Sequence, residues 1–282
     1  MKLVRFGARD VEKPGIVDEG GTIRDLSPYV PDFVDQGVTI EALDRIRAID
    51  LSRLAAVPKG VRLGPAIGRV NNFIAVGLNY SDHAAETGAA VPREPILFNK
   101  APSTLAGPDD DVVIPPGSLK SDWEVELAVV IGRPAYQVSE ADALSYVAGY
   151  AVCNDLSERA WQIEGTGQWV KGKSAPGFGP LGPWLVTPDE IADVQNLDMF
   201  LDLNGKRAQT GTTRTMVFGV ATLISYISKL WLLEPGDVIT TGTPPGVGMG
   251  MKPPVFLKPG DTMRLGIAGL GEQTQRAVAY SA

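Results

Sequence analysis

Thirty-two glycines and 22 prolines are spread along the 282 residues of this chain, and that punctuation constrains the fold more than any other feature. Glycine weakens helix interiors and proline breaks them, so long helices are possible only where both thin out. Glu140–Val147, Ser157–Ile163 and Thr215–Leu230 are the clear helix candidates. From Phe73 onward, short strand-like runs alternate with Gly/Pro-rich turns: Phe73–Gly77, Ile96–Asn99, Asp111–Ile114, Trp123–Ile131 and Gly149–Asn154. Pro183–Thr187, Asp198–Leu203, Asp237–Thr241 and Thr262–Ile267 continue the series. Neither a regular βαβ alternation nor an internal repeat is visible, so a mostly-β α+β fold built as a mixed sheet roll is expected. Before Phe73, Lys2–Phe6, Gly15–Asp18 and Thr22–Asp25 read as short strands and residues 38–55 as a weak helix. The run from Pro58 to Pro65 reads as a connection. The expected division is a small β-rich N-terminal domain, residues 1–66, and a main domain, residues 67–282.

Composition narrows the function. A formal net charge of −7 without a Lys/Arg cluster argues against a nucleic-acid surface. No apolar run approaches the ~20 residues that cross a bilayer. The N-terminal MKLVRFGARD lacks the apolar core of a signal peptide. The single cysteine, Cys153, fits a reducing compartment, and a cytoplasmic location is expected. One histidine and one cysteine exclude multi-histidine zinc sites and thiolate clusters. Any metal must then be held mostly by oxygen, which favours Mg²⁺ or Mn²⁺, with Ca²⁺ also compatible.

Within Asp122-Trp-Glu-Val-Glu-Leu-Ala-Val-Val-Ile-Gly132, a strand places Trp123, Val125, Leu127 and Val129 on one face and Glu124 and Glu126 on the other. Two carboxylates this close resist joint ionisation unless they meet water or a cation. A solvated edge strand and a pair of metal ligands both satisfy the pattern. Tyr150-Ala-Val-Cys-Asn-Asp155 reads as a buried strand ending on an acid, which is either a helix-entry residue or a third carboxylate for the same cation. His83 and Glu86, three apart in a short helical stretch from Asn79 to Gly88, share a face. They are either a surface pair or a water-activating pair on a mobile lid.

Three local motifs mislead. Gly167-Gln-Trp-Val-Lys-Gly-Lys-Ser174 matches the phosphate-loop pattern, but the Ala-Pro-Gly-Phe-Gly-Pro run behind it cannot continue a helix. Gly246-Val-Gly-Met-Gly250 is followed by Met-Lys-Pro-Pro254 and reads as a loop, not a dinucleotide fingerprint. Ser81, Asp82 and His83 lack the elbow of a serine hydrolase.

Taken together, Gly77-Leu-Asn-Tyr-x-Asp-His-Ala-Ala-Glu86, Asp122-x-Glu-Val-Glu-Leu-Ala-Val-Val-Ile-Gly132, Asn154-Asp-x-Ser-Glu-Arg159 and Thr241-Gly-Thr-Pro-Pro-Gly-Val-Gly248 resemble the fumarylacetoacetate hydrolase family, in the family's order. Lys171-Gly-Lys-Ser174, Gly182–Thr187 and Thr212–Met216 are most similar to its sugar-acid branch, which includes 2,4-diketo-3-deoxy-L-rhamnonate hydrolases. The resemblance implies a mixed β-sandwich roll and a homodimer. It implies Glu124, Glu126 and Asp155 as ligands of Mg²⁺ or Mn²⁺, and His83 with Glu86 as the water-activating pair. It also implies Lys173 as a catalytic lysine close to the substrate oxygens, with Arg159, Gln162 and Thr243 as further substrate contacts. The expected reaction is hydrolysis of a C–C bond in a 2,4-diketo acid. Oxaloacetate-type decarboxylation, hydroxymuconate-type isomerisation or ligand binding without catalysis are the alternatives. One departure stands out: Ala175-Pro176 replaces the family's x-Asp after Lys-Ser, removing a carboxylate and a backbone N–H.

Overall fold

The computed structural model describes residues 1–82 and 91–281. Two sheets carry the architecture. The larger runs Ile23–Asp25, Lys13–Val17, Lys2–Phe6, Gly179–Val186, Val147–Asn154, Val125–Ile131, Val238–Thr240, Phe73–Gly77, Ile96–Lys100, with Leu105–Ala106 attached to Gly179–Val186. Val238–Thr240 pairs parallel with Phe73–Gly77, and Leu105–Ala106 pairs parallel with Gly179–Val186; the other pairings are antiparallel. The second sheet runs Lys206–Thr212, Asp198–Leu203, Thr262–Ile267, Gly271–Ala279, Val112–Ile114. The mixed, mostly-β expectation is met.

Strand alternation sorts the core into two layers. Val125, Leu127, Val129 and Ile131 point to one face, with Trp123, and pack with Met199, Leu201, Met263 and Leu265 of the second sheet. The helix Val220–Leu230 seals the same layer through Val220, Leu223, Ile224 and Ile227. Ala128 and Val130 point the other way and meet Ala151, Cys153 and Leu185. That second face is covered by the N-terminal segment, through Phe33, Val38, Leu43, Ile46 and Ile67. Glu124 and Glu126 belong to this second face, at the end where the apolar cover stops.

Several boundaries differ from the sequence pattern for local reasons. Within residues 38–55 the α-helix spans Ile40–Arg47, started by Thr39, whose Oγ1 accepts from the Ala42 amide at 3.2 Å, and a 3-10 turn follows at Leu51–Arg53. The expected helix from Thr215 begins at Val220, because Gln195 Oε1 takes the Val220 amide (2.7 Å) and Asn79 Oδ1 takes that of Phe218 (2.8 Å). The helix expected at Ser157 begins at Arg159, since Ser157–Glu158 pairs as a two-residue strand with Ser121–Asp122. The helix expected over Glu140–Val147 is α-helical over Glu140–Ala143 and continues as a 3-10 helix over Leu144–Tyr146, ending because Val147 already pairs with Ile131.

Besides three two-residue strands among the described residues, two long strands were not expected. Lys206–Thr212 and Gly271–Ala279 lack an apolar period-2 pattern, because the inward positions include Gln209, Gln273 and Gln275, each fully buried and hydrogen-bonded. Gly179–Val186 starts four residues before the expected Pro183. Its pairing with Val147–Asn154 shifts register between Tyr150 and Val152, next to Pro183, the kind of irregularity that lets a strand carry proline.

Candidate active site

Antiparallel register brings the three carboxylates together. Asn154 lies opposite Val125 and Cys153 opposite Glu126, so the next residue, Asp155, reaches Glu124, and its amide donates to the Glu124 carbonyl at 2.9 Å. The regular strand starts at Val125, so Glu124 sits just outside it; its amide is held by Asn154 Oδ1 at 3.1 Å. Asn154 is braced in turn by Gln275 (3.1 Å). Glu124, Glu126 and Asp155 each place a carboxylate oxygen within 4.8 Å of the others, and all three residues are buried. The edge-strand reading of the glutamate pair is therefore excluded, as is the reading of Asp155 as a helix-entry residue. The helix is capped by Glu158, which accepts from the Ala160 amide at 3.0 Å.

Buried cations interleave with these acids. Asp122 Oδ2 accepts from Arg159 Nε at 2.8 Å, and Arg159 Nη1 pairs with Glu124 Oε1 at 2.8 Å. Lys173 Nζ bridges Glu124 Oε2 (2.6 Å) and Asp155 Oδ2 (2.7 Å). Lys100 Nζ takes the other oxygen of Asp155 at 2.5 Å and two carbonyls, Lys173 O (2.7 Å) and Leu156 O (3.2 Å). These three acceptors match the three N–H bonds of an ammonium. Burial pulls the Lys100 pKa below its ordinary value, and Asp155 opposes that pull. Burial also lowers the pKa of Lys173, but Asp155 and Glu124 outweigh it and hold the group above its usual value.

Glu126 is the exception, since among the described residues no cation donates a hydrogen bond to it. Its Oε2 accepts the Gly242 amide at 2.9 Å. Burial, followed by the charges of Asp155 and Glu124, pushes its pKa well above the ordinary 4.5. Gly242 reaches it with φ +91°, and a Cβ there would lie 3.0 Å from the Asn79 Cβ. Gly248, within the Gly-rich loop, donates its amide to Asp122 Oδ1 at 2.7 Å. A Cβ on Gly248 would come 2.0 Å from the Val255 carbonyl oxygen, so that loop serves the ionic cluster and not a nucleotide.

The remaining expected site residues are placed as follows. Gln162 accepts from Arg159 Nη1 at 3.0 Å, while Arg159 Nη2 is buried without a hydrogen-bond partner among the described residues. Thr243 Oγ1 donates to the Val125 carbonyl (2.9 Å) and accepts from Gln209 (2.8 Å). His83 and Glu86 lie outside the described residues. Pro176, the departure from the family pattern, lines a separate cleft of about 830 Å³ with Ser103, Arg62 and Asp110. The phosphate-loop lookalike is a short helix, Val170–Lys173, that delivers Lys173 to the carboxylates. Sequence reasoning missed Lys100 and the role of Asp122; a lysine closing the apolar run Ile96–Lys100 was the available signal for the first.

The donor set fits a hard divalent cation: three oxygen ligands, close together, with the carboxylates of Glu124 and Asp155 raising the pKa of Glu126. Because burial and the neighbouring carboxylates favour the protonated form of Glu126, cation binding is expected to release protons and to weaken as pH falls. Titration calorimetry with Mn²⁺ in buffers of different ionisation enthalpy measures this; a heat independent of the buffer contradicts it.

The mixed sheet roll thus carries, at the end of adjacent strands, an oxygen-only cluster suited to a divalent cation. Residues 72–278 match the family model described as the C-terminal domain of fumarylacetoacetate hydrolase, and the chain belongs to the fumarylacetoacetate hydrolase family. A generically named hydrolase of Burkholderia ambifaria is 59% identical over 276 residues, covering 98% of each chain. Among solved structures, fumarylacetoacetate hydrolase from Exiguobacterium antarcticum superposes with a TM-score of 0.89 at 35% identity, over 99% of this chain and 100% of that one. Maleylpyruvate hydrolase from Sphingobium sp. SYK-6, solved with manganese(II) and pyruvate, gives 0.83 at 31%, with full coverage of both chains. The 5-carboxymethyl-2-hydroxymuconate delta-isomerase of Mycobacterium smegmatis gives 0.79 at 30%, again over both whole chains. The kind of enzyme is thus a metal-dependent hydrolase or isomerase. Among the described residues, no helix is long and apolar enough to cross a membrane.

Proposed function

We propose that this chain is a Mg²⁺- or Mn²⁺-dependent hydrolase that cleaves a C–C bond of a 2,4-diketo acid. The substrate class is acylpyruvates or diketo-deoxy sugar acids such as 2,4-diketo-3-deoxy-L-rhamnonate, and the products are pyruvate and a carboxylic acid. The observation that carries this reading is the buried triad of Glu124, Glu126 and Asp155 set against Lys173, Lys100 and Arg159. A cation alone would be served by carboxylates. Buried ammonium and guanidinium groups beside them suit a site that must also accept an anion. The pyruvate held by the maleylpyruvate hydrolase structure is an anion of this kind. In the proposed assembly residues 1–66 form a small appended unit and two copies pair as a homodimer.

Glu124, Glu126 and Asp155 would hold the cation, which supplies Lewis-acid polarisation of the α-keto acid end and stabilises charge developing there. Arg159 offers Nη2 to the substrate carboxylate. His83, oriented by Glu86, takes a proton from water as the water oxygen adds to the C4 carbonyl carbon. The Lys173 ammonium stabilises the oxyanion that forms at C4. The C3–C4 bond then breaks, its electron pair passes to C3, and C3 takes up a proton to give pyruvate; C4 leaves as the carboxylic acid.

The isomerase neighbour supports a second reading on the same site: isomerisation of hydroxymuconate-like acids, or decarboxylation of oxaloacetate-like acids, without a water activator. The test is turnover of acylpyruvates, diketo sugar acids, oxaloacetate and hydroxymuconate-like acids by the Mn²⁺-loaded protein, with products identified by mass spectrometry. Pyruvate plus a carboxylic acid is expected, and His83→Ala is expected to lower that hydrolysis by about 10²–10⁴-fold, the range typical of a lost general base. Retained decarboxylation or isomerisation in His83→Ala, with no hydrolysis by the parent protein, favours the second reading. No turnover of any of these acids leaves a ligand-binding role.

A further inference from the structure

Among the described residues, Lys100 is the one cation of the buried cluster with no hydrogen bond to Glu124 or Glu126. It is 2% exposed, at the end of the strand Ile96–Lys100. Its ammonium meets Asp155 Oδ1 and the carbonyls of Leu156 and Lys173, while Lys173 takes Asp155 Oδ2. The same strand end is stitched to the Lys173 segment a second time, through the Ala101 amide and Ser174 Oγ at 2.9 Å. Lys100 therefore has no free N–H for a ligand. What it contributes is a fixed position for Asp155 and one unit of positive charge.

That unit decides the sign of the site. Among the described residues and with every group ionised, the carboxylates of Asp122, Glu124, Glu126 and Asp155 outnumber the cationic Lys100, Arg159 and Lys173 by one. A divalent cation would turn the surplus of one negative charge into one positive charge, and an anion could then bind. Without Lys100 the cation-loaded cluster is neutral.

We propose that Lys100 is a positioning residue that lowers the affinity of the three-carboxylate site for a divalent cation and raises the affinity of the loaded site for an anionic substrate. The proposal rests on the reading of Glu124, Glu126 and Asp155 as a cation site. It has a signature that a merely structural lysine would lack, because loosening the site would weaken both ligands together. Replacing the charge shifts the two affinities in opposite directions.

The experiment measures Mn²⁺ binding by titration calorimetry, then oxalate binding to the Mn²⁺-loaded protein, for the parent chain, Lys100→Met and Lys100→Gln. Oxalate serves as a stable dianion of the size of enolpyruvate. Lys100→Met keeps the volume without the charge, and Lys100→Gln keeps N–H donors for the two carbonyls. Both variants are expected to bind Mn²⁺ at least about tenfold more tightly and oxalate at least about tenfold more weakly, the scale of one charge acting at a few ångströms in a buried site. If Lys100→Met does not fold, Lys100→Gln carries the comparison, and the rise in melting temperature on adding Mn²⁺ gives the cation arm independently of calorimetry. Losses in both affinities, or no change in either, overturn the role assigned to Lys100 while leaving the cation site standing. A parent protein that binds no Mn²⁺ overturns the cation site and this inference with it.

Discussion

Glu126→Gln is expected to stabilise the chelator-treated protein while lowering turnover of a diketo acid by about 10³-fold, the loss of roughly 4 kcal/mol of transition-state stabilisation. The two effects have one cause. Glu126 is buried beside Glu124 and Asp155, and burial followed by those charges raises its pKa well above 4.5. Its ionised form is therefore costly in the folded chain unless a cation offsets it. The linkage has a definite sign: above pH 4.5 the folded state holds a proton that the unfolded state has released, so folding stability falls as pH rises toward the folded-state pKa. Glutamine keeps an oxygen for the Gly242 amide and offers N–H groups to the neighbouring carboxylates, with no charge to bury. Thermal melting of both proteins from pH 5 to 8, with chelator and with Mn²⁺, reads the prediction. The parent should lose stability with rising pH in chelator and regain it with Mn²⁺, and the variant should show neither response. Near-parental turnover or an intact Mn²⁺ response in Glu126→Gln would show that the carboxylate triad is not the cation site.

Asp122→Ala is expected to destabilise the fold by about 3–5 kcal/mol, the range for stripping one partner from a buried ion pair. Asp122 is fully buried and accepts from Arg159 Nε and from the amides of Trp123, Gly248 and Met249 at 2.7–2.9 Å. Its removal leaves those amides without their acceptor and draws Arg159 wholly onto Glu124, with which it already pairs. The expected functional result is a rise in KM for the anionic substrate, because Arg159 is no longer held in place. Equilibrium unfolding in urea measures the loss. The double variant Asp122→Ala with Arg159→Met should be less destabilised than the two single variants added together, since it no longer buries an orphaned charge. A loss below about 1 kcal/mol for Asp122→Ala, within the range of an ordinary surface change, would remove Asp122 from the support of the site.

How far the site was legible follows from how local each signal is. The spacing of Glu124 and Glu126 is a two-residue pattern, and strand alternation alone places both on the face opposite Val125, Leu127 and Val129. The strands Phe73–Gly77, Asp198–Leu203 and Thr262–Ile267 are likewise apolar enough to be read directly. Gly271–Ala279 was not, because Gln273 and Gln275 occupy inward positions and satisfy carbonyls and amides across the core, as in the 2.7 Å bond from Gln273 to the Val152 carbonyl. Polar residues at inward positions erase the alternation on which strand recognition depends. Lys100 was hidden for a related reason: a lysine at a strand end is ordinarily solvated, and only its three buried acceptors reveal otherwise.

By itself, the sequence determined the mostly-β class, the mainly oxygen character of any metal site, the glutamate pair and the motifs of the fumarylacetoacetate hydrolase family. These depend on residue types and on spacings within single segments. The tertiary structure decided which charges meet. Asp155 reaches Glu124 because of the register between the strands Val125–Ile131 and Val147–Asn154, and Lys100, Lys173 and Arg159 arrive from other elements of the chain. Pairing at that range is set by packing across the whole sheet, and no local pattern in the chain encodes it.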